Sequence, residues 1–307
     1  MRMPSDEGLD ASVAEPSRRR KSRPRLTLLP TDQARACPVR ERALHGARNL
    51  PSERRFHDAT RAELRVIEPM PLPMHTHEFA DGAELAAALA QAVAADLSAA
   101  IARHGSARIA LSGGSTPRAF LTRLSKLAVD WPRVTVLPVD DRWVPPQHER
   151  SNERLLRETL LQGDAAQARF MPLYRPLPTP EAALLPVLGR IAHEALPLDV
   201  VVLGMGEDGH VASLFPDLGA DRPGLREIGL DPRGRAPALA VRTANAPEPR
   251  MTLTLSAIFT APSLYLHIEG AKKRTVLDGA ALDPRSPLPV RAVLAGAPKP
   301  PDLYWSP

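Results

Sequence analysis

A chain of 307 residues, 43% hydrophobic and 24% charged, carries enough apolar material for one large core or two smaller ones. Its single cysteine, Cys37, excludes a disulfide framework and a cysteine-based zinc site. The net charge of +5 excludes less than it suggests: residues 1–69 hold 15 of the 40 Lys+Arg and 10 of the 35 Asp+Glu, leaving 25 of each sign in residues 70–307 and no basic field there for duplex nucleic acid.

Residues 1–69 read as a poor core former. Arg18-Arg19-Arg20-Lys21 is followed by scattered arginine, proline and acid without helical or strand period, as in a disordered tail or an extension foreign to the folded domain. A mitochondrial transit peptide suits the arginines, but ten acidic residues count against it. No secretory signal is visible, and no apolar run approaches the roughly 20 residues needed to cross a bilayer. A cytoplasmic protein with neither membrane nor nucleic-acid partner is expected; no signal for an oligomeric state is present. Met70 and Met74 both precede the first orderly pattern, and the domain is expected over residues 70–307.

From there strands and helices alternate. His75–Phe79 suits a short strand, and Asp81 with Glu84 resembles a capping box that opens an alanine-rich helix to about Arg103. Ala107–Leu111 is an apolar strand, followed by a glycine-rich turn and a helix from Pro117. Val134–Val139 predicts a strand and Ser151–Leu161 a helix; Leu198–Leu203 is the unbroken apolar run of a strand covered on both faces. Leu239–Val241 and Leu264–Ile268 add strands, with helices near Thr252–Phe259 and Ala271–Leu282. The pattern predicts a single α/β domain: a doubly wound, mostly parallel sheet with helices on both faces.

Three motifs follow strands, where such sheets bind ligands. In Ser112-Gly113-Gly114-Ser115-Thr116-Pro117, glycines admit close approach of an anion, and the N–H groups of a helix start with the Ser115 and Thr116 hydroxyls suit phosphate. A plain tight turn fits the same residues. Neither the dinucleotide fingerprint nor the P-loop is matched. In Asp140-Asp141-Arg142-Trp143-Val144, two carboxylates and an arginine form either a surface ion pair or a guanidinium fork for a substrate oxyanion. In Gly204-Met205-Gly206-Glu207-Asp208-Gly209-His210, alternate glycines display Asp208 and His210. A neutral imidazole can take a proton from water, and a neighbouring carboxylate can fix its tautomer; a loop histidine with purely structural bonds is the alternative. His75 and His77 share one strand face as half of a metal site without a third ligand in view, and His267 reads as a core histidine with a local partner.

The three motifs in this order resemble the glucosamine-6-phosphate isomerase/6-phosphogluconolactonase family, from about Phe79 to the C-terminus. Arg250-Met251-Thr252-Leu253-Thr254 and Gly270-Ala271-Lys272-Lys273 also fit the likeness. The family's deaminases place a glutamate five residues beyond the motif histidine; here that position is Phe215, which cannot transfer a proton, and Ser213-Leu214-Phe215-Pro216 resembles the lactonase branch. The resemblance implies hydrolysis of 6-phospho-D-glucono-1,5-lactone in the oxidative pentose phosphate pathway, without metal or organic cofactor. It implies His210 as general base oriented by Asp208, Arg142 stabilising negative charge, and Asp140 either binding sugar hydroxyls or positioning Arg142. Lys273, with Gly113, Gly114, Ser115 and Thr116, would hold the sugar phosphate. Lys273 is preferred to Lys272 because the family's lysine lies three residues after the glycine. Asp141 stands where the family usually has glutamate and is left outside the expected site. The alternatives are a deaminase or isomerase, and a non-catalytic sugar-phosphate sensor, for which a helix-turn-helix pair is missing.

Overall fold

The computed structural model describes residues 70–307 apart from residue 245; the expectations for residues 1–69 lie outside the described residues. In chain order the elements are β1 (His75–Glu78), α1 (Gly82–His104), β2 (Ala107–Leu111), α2 (Arg118–Leu124), β3 (Val134–Pro138), β4 (Asp140–Arg142) and α3 (Asn152–Thr159). Then come β5 (Arg169–Phe170), α4 (Pro180–Arg190), β6 (Val200–Leu203), α5 (Leu225–Leu230), β7 (Ala238–Thr243) and β8 (Ala246–Leu253). The chain closes with α6 (Leu255–Ile258), β9 (Ser263–Glu269), α7 (Ala271–Leu282), α8 (Pro289–Gly296) and β10 (Asp302–Ser306).

Seven strands form one parallel sheet in the order β1-β10-β9-β6-β2-β3-β5. From β2 the chain winds outward through β3 and β5, then crosses back to place β6 on the other side of β2. The topological switch point therefore lies between β2 and β6. Alternation along β6 fills both layers: Val200 and Val202 pack with α1, α2 and α3, while Val201 and Leu203 face the layer that holds α4, α7 and α8. The doubly wound, mostly parallel fold expected from the sequence is the one observed.

The start of α1 shows how local chemistry sets a boundary. Asp81 accepts hydrogen bonds from the N–H groups of Ala83 (2.9 Å) and Glu84 (2.8 Å), and Glu84 reaches back to accept from Ala80 N–H (3.0 Å). At the other end Gly105, at φ 76°, closes the helix through its N–H to Ile101. The sequence expectation that nothing apolar approaches bilayer length needs correction here. This 23-residue helix is long and apolar enough to cross a membrane, with a mean hydropathy of 1.7 over its most apolar window. Leu85, Leu89, Val93 and Leu97 recur along one face and are wholly buried, so its apolar character serves the core of this domain.

Three other expectations change. Pro117 caps α2, which begins at Arg118. The helix expected near 252–259 is present but shorter: β8 runs to Leu253, and the four residues of α6, Leu255–Ile258, are helical. The cause is tertiary, since β8 pairs antiparallel with both β4 and β7 in a separate three-stranded sheet that the sequence reading did not foresee. Consequently Asp140–Arg142 is a strand of that sheet, not a loop. The elements α8 and β10 were also not foreseen; Tyr304 and Trp305 lie within β10.

Candidate active site

Because the main sheet is parallel, the C-terminal ends of β2, β3, β6 and β9 open on one edge. At the switch point Ser112 N–H donates to Val202 O (3.0 Å) and Gly204 N–H donates to Ser112 Oγ (2.9 Å), stitching the first and third motifs together. A cleft of about 200 Å³ lies over this seam, lined by Gly113, Gly114, Ser115, Thr116, Asp140, Arg142, His210 and Lys273. Eight of the nine residues expected at the site therefore share one cavity wall. The ninth, Asp208, stands behind His210.

His210 Nδ1 lies 2.5 Å from Asp208 Oδ1, and His210 N–H donates to the same oxygen at 3.2 Å. With Nδ1–H bound to the carboxylate, Nε2 is the ring's proton acceptor. Burial alone would raise the Asp208 carboxyl; the hydrogen bond and charge of His210 outweigh it and leave Asp208 below its ordinary value. The dyad sits directly on Gly206, where a Cβ would come within 2.3 Å of the imidazole and 2.5 Å of Asp208 Oδ1. Only glycine permits that approach. The loop closes through Gly206 N–H to His210 O and Gly209 N–H to Gly206 O, both at 3.0 Å. Two residues on, Ala212 takes the left-handed φ of 51° and forms part of the cleft wall. Phe215 packs on the imidazole with ring centroids 4.5 Å apart, and the Arg250 guanidinium lies over the same Phe215 ring at 5.3 Å.

Arg250 reaches the cleft because the antiparallel register of the small sheet sets it opposite Arg142. Its Nη1 is 3.6 Å from Asp140 Oδ2 and 3.4 Å from Ser213 Oγ, which itself donates to Asp140 Oδ2 at 2.5 Å. Asp140, Ser213 and Arg250 are all buried. Burial lowers the Arg250 guanidinium and the Asp140 charge opposes that shift. Of the two roles considered for Asp140, these bonds favour positioning, directed at Arg250 and reaching Arg142 only through the amide of Asn152. The Nε atoms of Arg142 and Arg250 are both buried without a partner among the described residues, and both residues line the cleft. Two positive charges thus flank the cleft, where an oxyanion would lie. Arg250, Asn152 and Ser213 were not among the expected site residues. Arg250 and Ser213 lie in segments that carry the family resemblance, but the meeting of the three residues is a pairing between distant segments, which no local pattern carries.

Asp141 is absent from the cleft wall and almost completely buried. It accepts from the N–H groups of Arg142 (2.8 Å), Asn152 (2.7 Å) and Glu153 (3.0 Å), and so fastens the start of α3 beneath the site. Burial, with the charge of Asp140 added, outweighs those donors and pushes its carboxyl up to about 7.

Lys273, on the first turn of α7, lines the cleft; Lys272 does not, being 83% exposed with its ammonium 4.0 Å from Glu207. His267 is buried with Nε2 3.1 Å from Glu269, as expected of a core histidine. His75 and His77 both approach Asp302, at 3.6 and 3.1 Å, yet among the described residues no group of three or more His, Cys, Asp or Glu is arranged to hold a metal ion.

Comparison with known proteins points to one family. The family of glucosamine-6-phosphate isomerases/6-phosphogluconolactonase matches residues 80–305. The chain is 48% identical over 233 residues to a Rhizobium meliloti (strain 1021) protein named 6-phosphogluconolactonase, covering 75% of this chain and 98% of the relative. A Pseudomonas aeruginosa protein of the same name is 39% identical over 239 residues, covering 78% and 97%. Among solved structures, a 6-phosphogluconolactonase from Shewanella baltica OS155 aligns with a TM-score of 0.73 and 35% identity, over 78% of this chain and 100% of its own. A monomeric glucosamine-6-phosphate deaminase aligns with a TM-score of 0.61 at 16% identity over 76% and 97%, a likeness of fold alone.

Proposed function

The chain belongs to the glucosamine-6-phosphate isomerase/6-phosphogluconolactonase family, and we infer from this and from the cleft that it hydrolyses 6-phospho-D-glucono-1,5-lactone to 6-phosphogluconate in the pentose phosphate pathway. One observation carries the inference: an Asp208-oriented imidazole faces the same 200 Å³ cleft as two guanidinium groups, a glycine turn and a lysine. A lactone with a distant phosphate needs each of these groups.

His210 Nε2 takes a proton from a water molecule as its oxygen attacks the lactone carbonyl, and Asp208 stabilises the resulting imidazolium. Negative charge passes to the carbonyl oxygen, where the guanidinium of Arg142, seconded by Arg250, balances it. Collapse of the tetrahedral intermediate restores the carbonyl and breaks its bond to the ring oxygen. That oxygen takes the proton back from His210 and becomes a hydroxyl, and the new carboxylic acid loses its own proton to solvent. Ser115, Thr116, the N–H groups of Gly113 and Gly114, and Lys273 hold the phosphate, adding binding energy away from the reacting carbon. At Phe215, where the deaminase branch carries an acid, this chain has a ring that packs on His210 and supplies no proton. A phosphorylated sugar substrate of this kind suits work in the cytoplasm.

The test couples glucose 6-phosphate and its dehydrogenase to 6-phosphogluconate dehydrogenase. Adding the full chain should accelerate the second NADPH release above spontaneous lactone opening. Ammonia released from glucosamine 6-phosphate, with no such acceleration, would overturn the reading.

A further inference from the structure

Gly113 and Gly114 are neighbours with different reasons for being glycine. Gly114 has a φ of 101° and open space around the position of a Cβ, so the backbone conformation selects it. Gly113 does not have a positive φ. A Cβ there would instead lie 1.9 Å from Oδ1 and 2.2 Å from Cγ of Asn152, so an amide from α3 is what excludes a side chain at 113.

That amide is only 2% exposed, and both its ends are engaged. Nδ2 donates to the backbone carbonyl of Asp140 at 2.7 Å, and Oδ1 accepts from Arg142 Nη1 at 3.0 Å. Arg142 Nη1 also donates to the carbonyl of Arg150 at 2.7 Å. Both hydrogens of Nη1 are thereby used inside the protein. What remains for a ligand is Nη2, since Nε, though unpartnered among the described residues, is buried. The side chain of Asn152 thus decides which edge of Arg142 meets substrate, while its flat face rests against the glycine turn.

We propose that Asn152 is a positioning residue that directs the anion-binding edge of Arg142 and keys it to the turn at Gly113, holding guanidinium and phosphate loop at one fixed spacing. The proposal rests on the lactonase reading above. It explains Gly113 as the mate of Asn152, which a phosphate-cradle account alone does not.

Two double-mutant cycles in the full chain test it. N152A is expected to lower kcat roughly 10- to 100-fold, the scale of a misplaced catalytic group. G113A should cause a similar loss, because its methyl group displaces the amide. N152A/G113A should be no slower than N152A, since the group that collides is gone, and N152A/R142A no slower than R142A. A merely structural role predicts losses that follow the fall in thermal stability and leave both cycles additive; that result would overturn the proposal. Asn152→Ser takes the place of N152A if the alanine variant does not fold. Affinities for 6-phosphogluconate and for inorganic phosphate, measured by calorimetry through the same cycles, should show the same lack of additivity. Failure of the unmutated chain to open the lactone would overturn the lactonase reading alone, and the phosphate cycles would then decide the role of Asn152.

Discussion

The interior of the seven-stranded sheet and the rim at its C-terminal edge are built on opposite terms. The interior is apolar on both faces: Ile109, Val200 and Val202 close one layer, and Ala110, Val201 and Leu203 the other. At the rim the small antiparallel sheet and the start of α3 bury Asp140, Asp141, Asn152, Glu153, Arg250 and Thr252. Burying such groups is costly unless each finds a partner, and here the partners are one another. Three buried atoms of this region lack a partner among the described residues: Nε of Arg142, Nε of Arg250 and Oε2 of Glu248. The contrast teaches where to look for function: burial in the interior serves stability, and the rim holds charge ready for a ligand.

Mutations can break or sharpen this contrast. The largest effect belongs to the rim. His210→Asn should lower lactone turnover by about 10²- to 10⁴-fold, the range of general-base catalysis, with the melting temperature nearly unchanged; near-native turnover above the spontaneous rate would remove His210 from its role. In the interior the pattern should invert. Ile109→Ala, at a wholly buried site, should cost about 2–5 kcal/mol of unfolding free energy in denaturant titration, while the folded fraction keeps its kcat.

A smaller effect separates the regions by pH. Asp141 has its carboxyl raised from an ordinary 3.8 to about 7, so the folded state holds that proton more tightly than the unfolded state does. Its contribution to stability is full below about pH 3.8 and is lost as pH rises through about 7, with a slope of up to about 1.4 kcal/mol per pH unit. Asp141→Asn should flatten the dependence of unfolding free energy across that window; an unchanged profile would show that the carboxyl is ionised throughout. The smallest effect lies on the surface, where Arg242 of β7 pairs with Glu181 of α4 at 2.9 Å. The hydrogen bond from Arg242 holds Glu181 down at about 2 against an ordinary 4.5. That stabilisation is present above pH 4.5 and disappears as pH falls through 2. Because the pair is largely solvated, Glu181→Ala should cost no more than about 1 kcal/mol at neutral pH, measured by thermal unfolding.

Much of the interior was legible because its signal is local. The apolar run at Leu198–Leu203 and the alternation of strands with helices need only neighbouring residues, and β2, β3, β6 and β9 all lie where the pattern put them. The site was legible wherever a strand of the main sheet runs directly into a motif, as at Gly113, Asp208 and His210. It was not legible where two remote segments meet. Pro247 and Pro249 disguised β8, since proline seldom sits inside a strand, and with β8 went the pairing that brings Arg250 opposite Arg142. Asn152 lay within the helix expected over Ser151–Leu161, yet its contact with Gly113 joins two distant segments and has no trace in spacing. The apolar length of α1 was underestimated because Glu84, Gln91 and Asp96 interrupt a composition dominated by alanine.

Ala212, two residues past the imidazole, bends in a direction that L-amino acids other than glycine resist, at a cost of about 1–2 kcal/mol. A glycine would relax that bend but would remove the methyl group of a residue that lines the cavity. Local discomfort is tolerated there in return for a surface with a defined contour, so the Ala212→Gly enzyme should be at ease in its backbone and less discriminating about the sugars it admits.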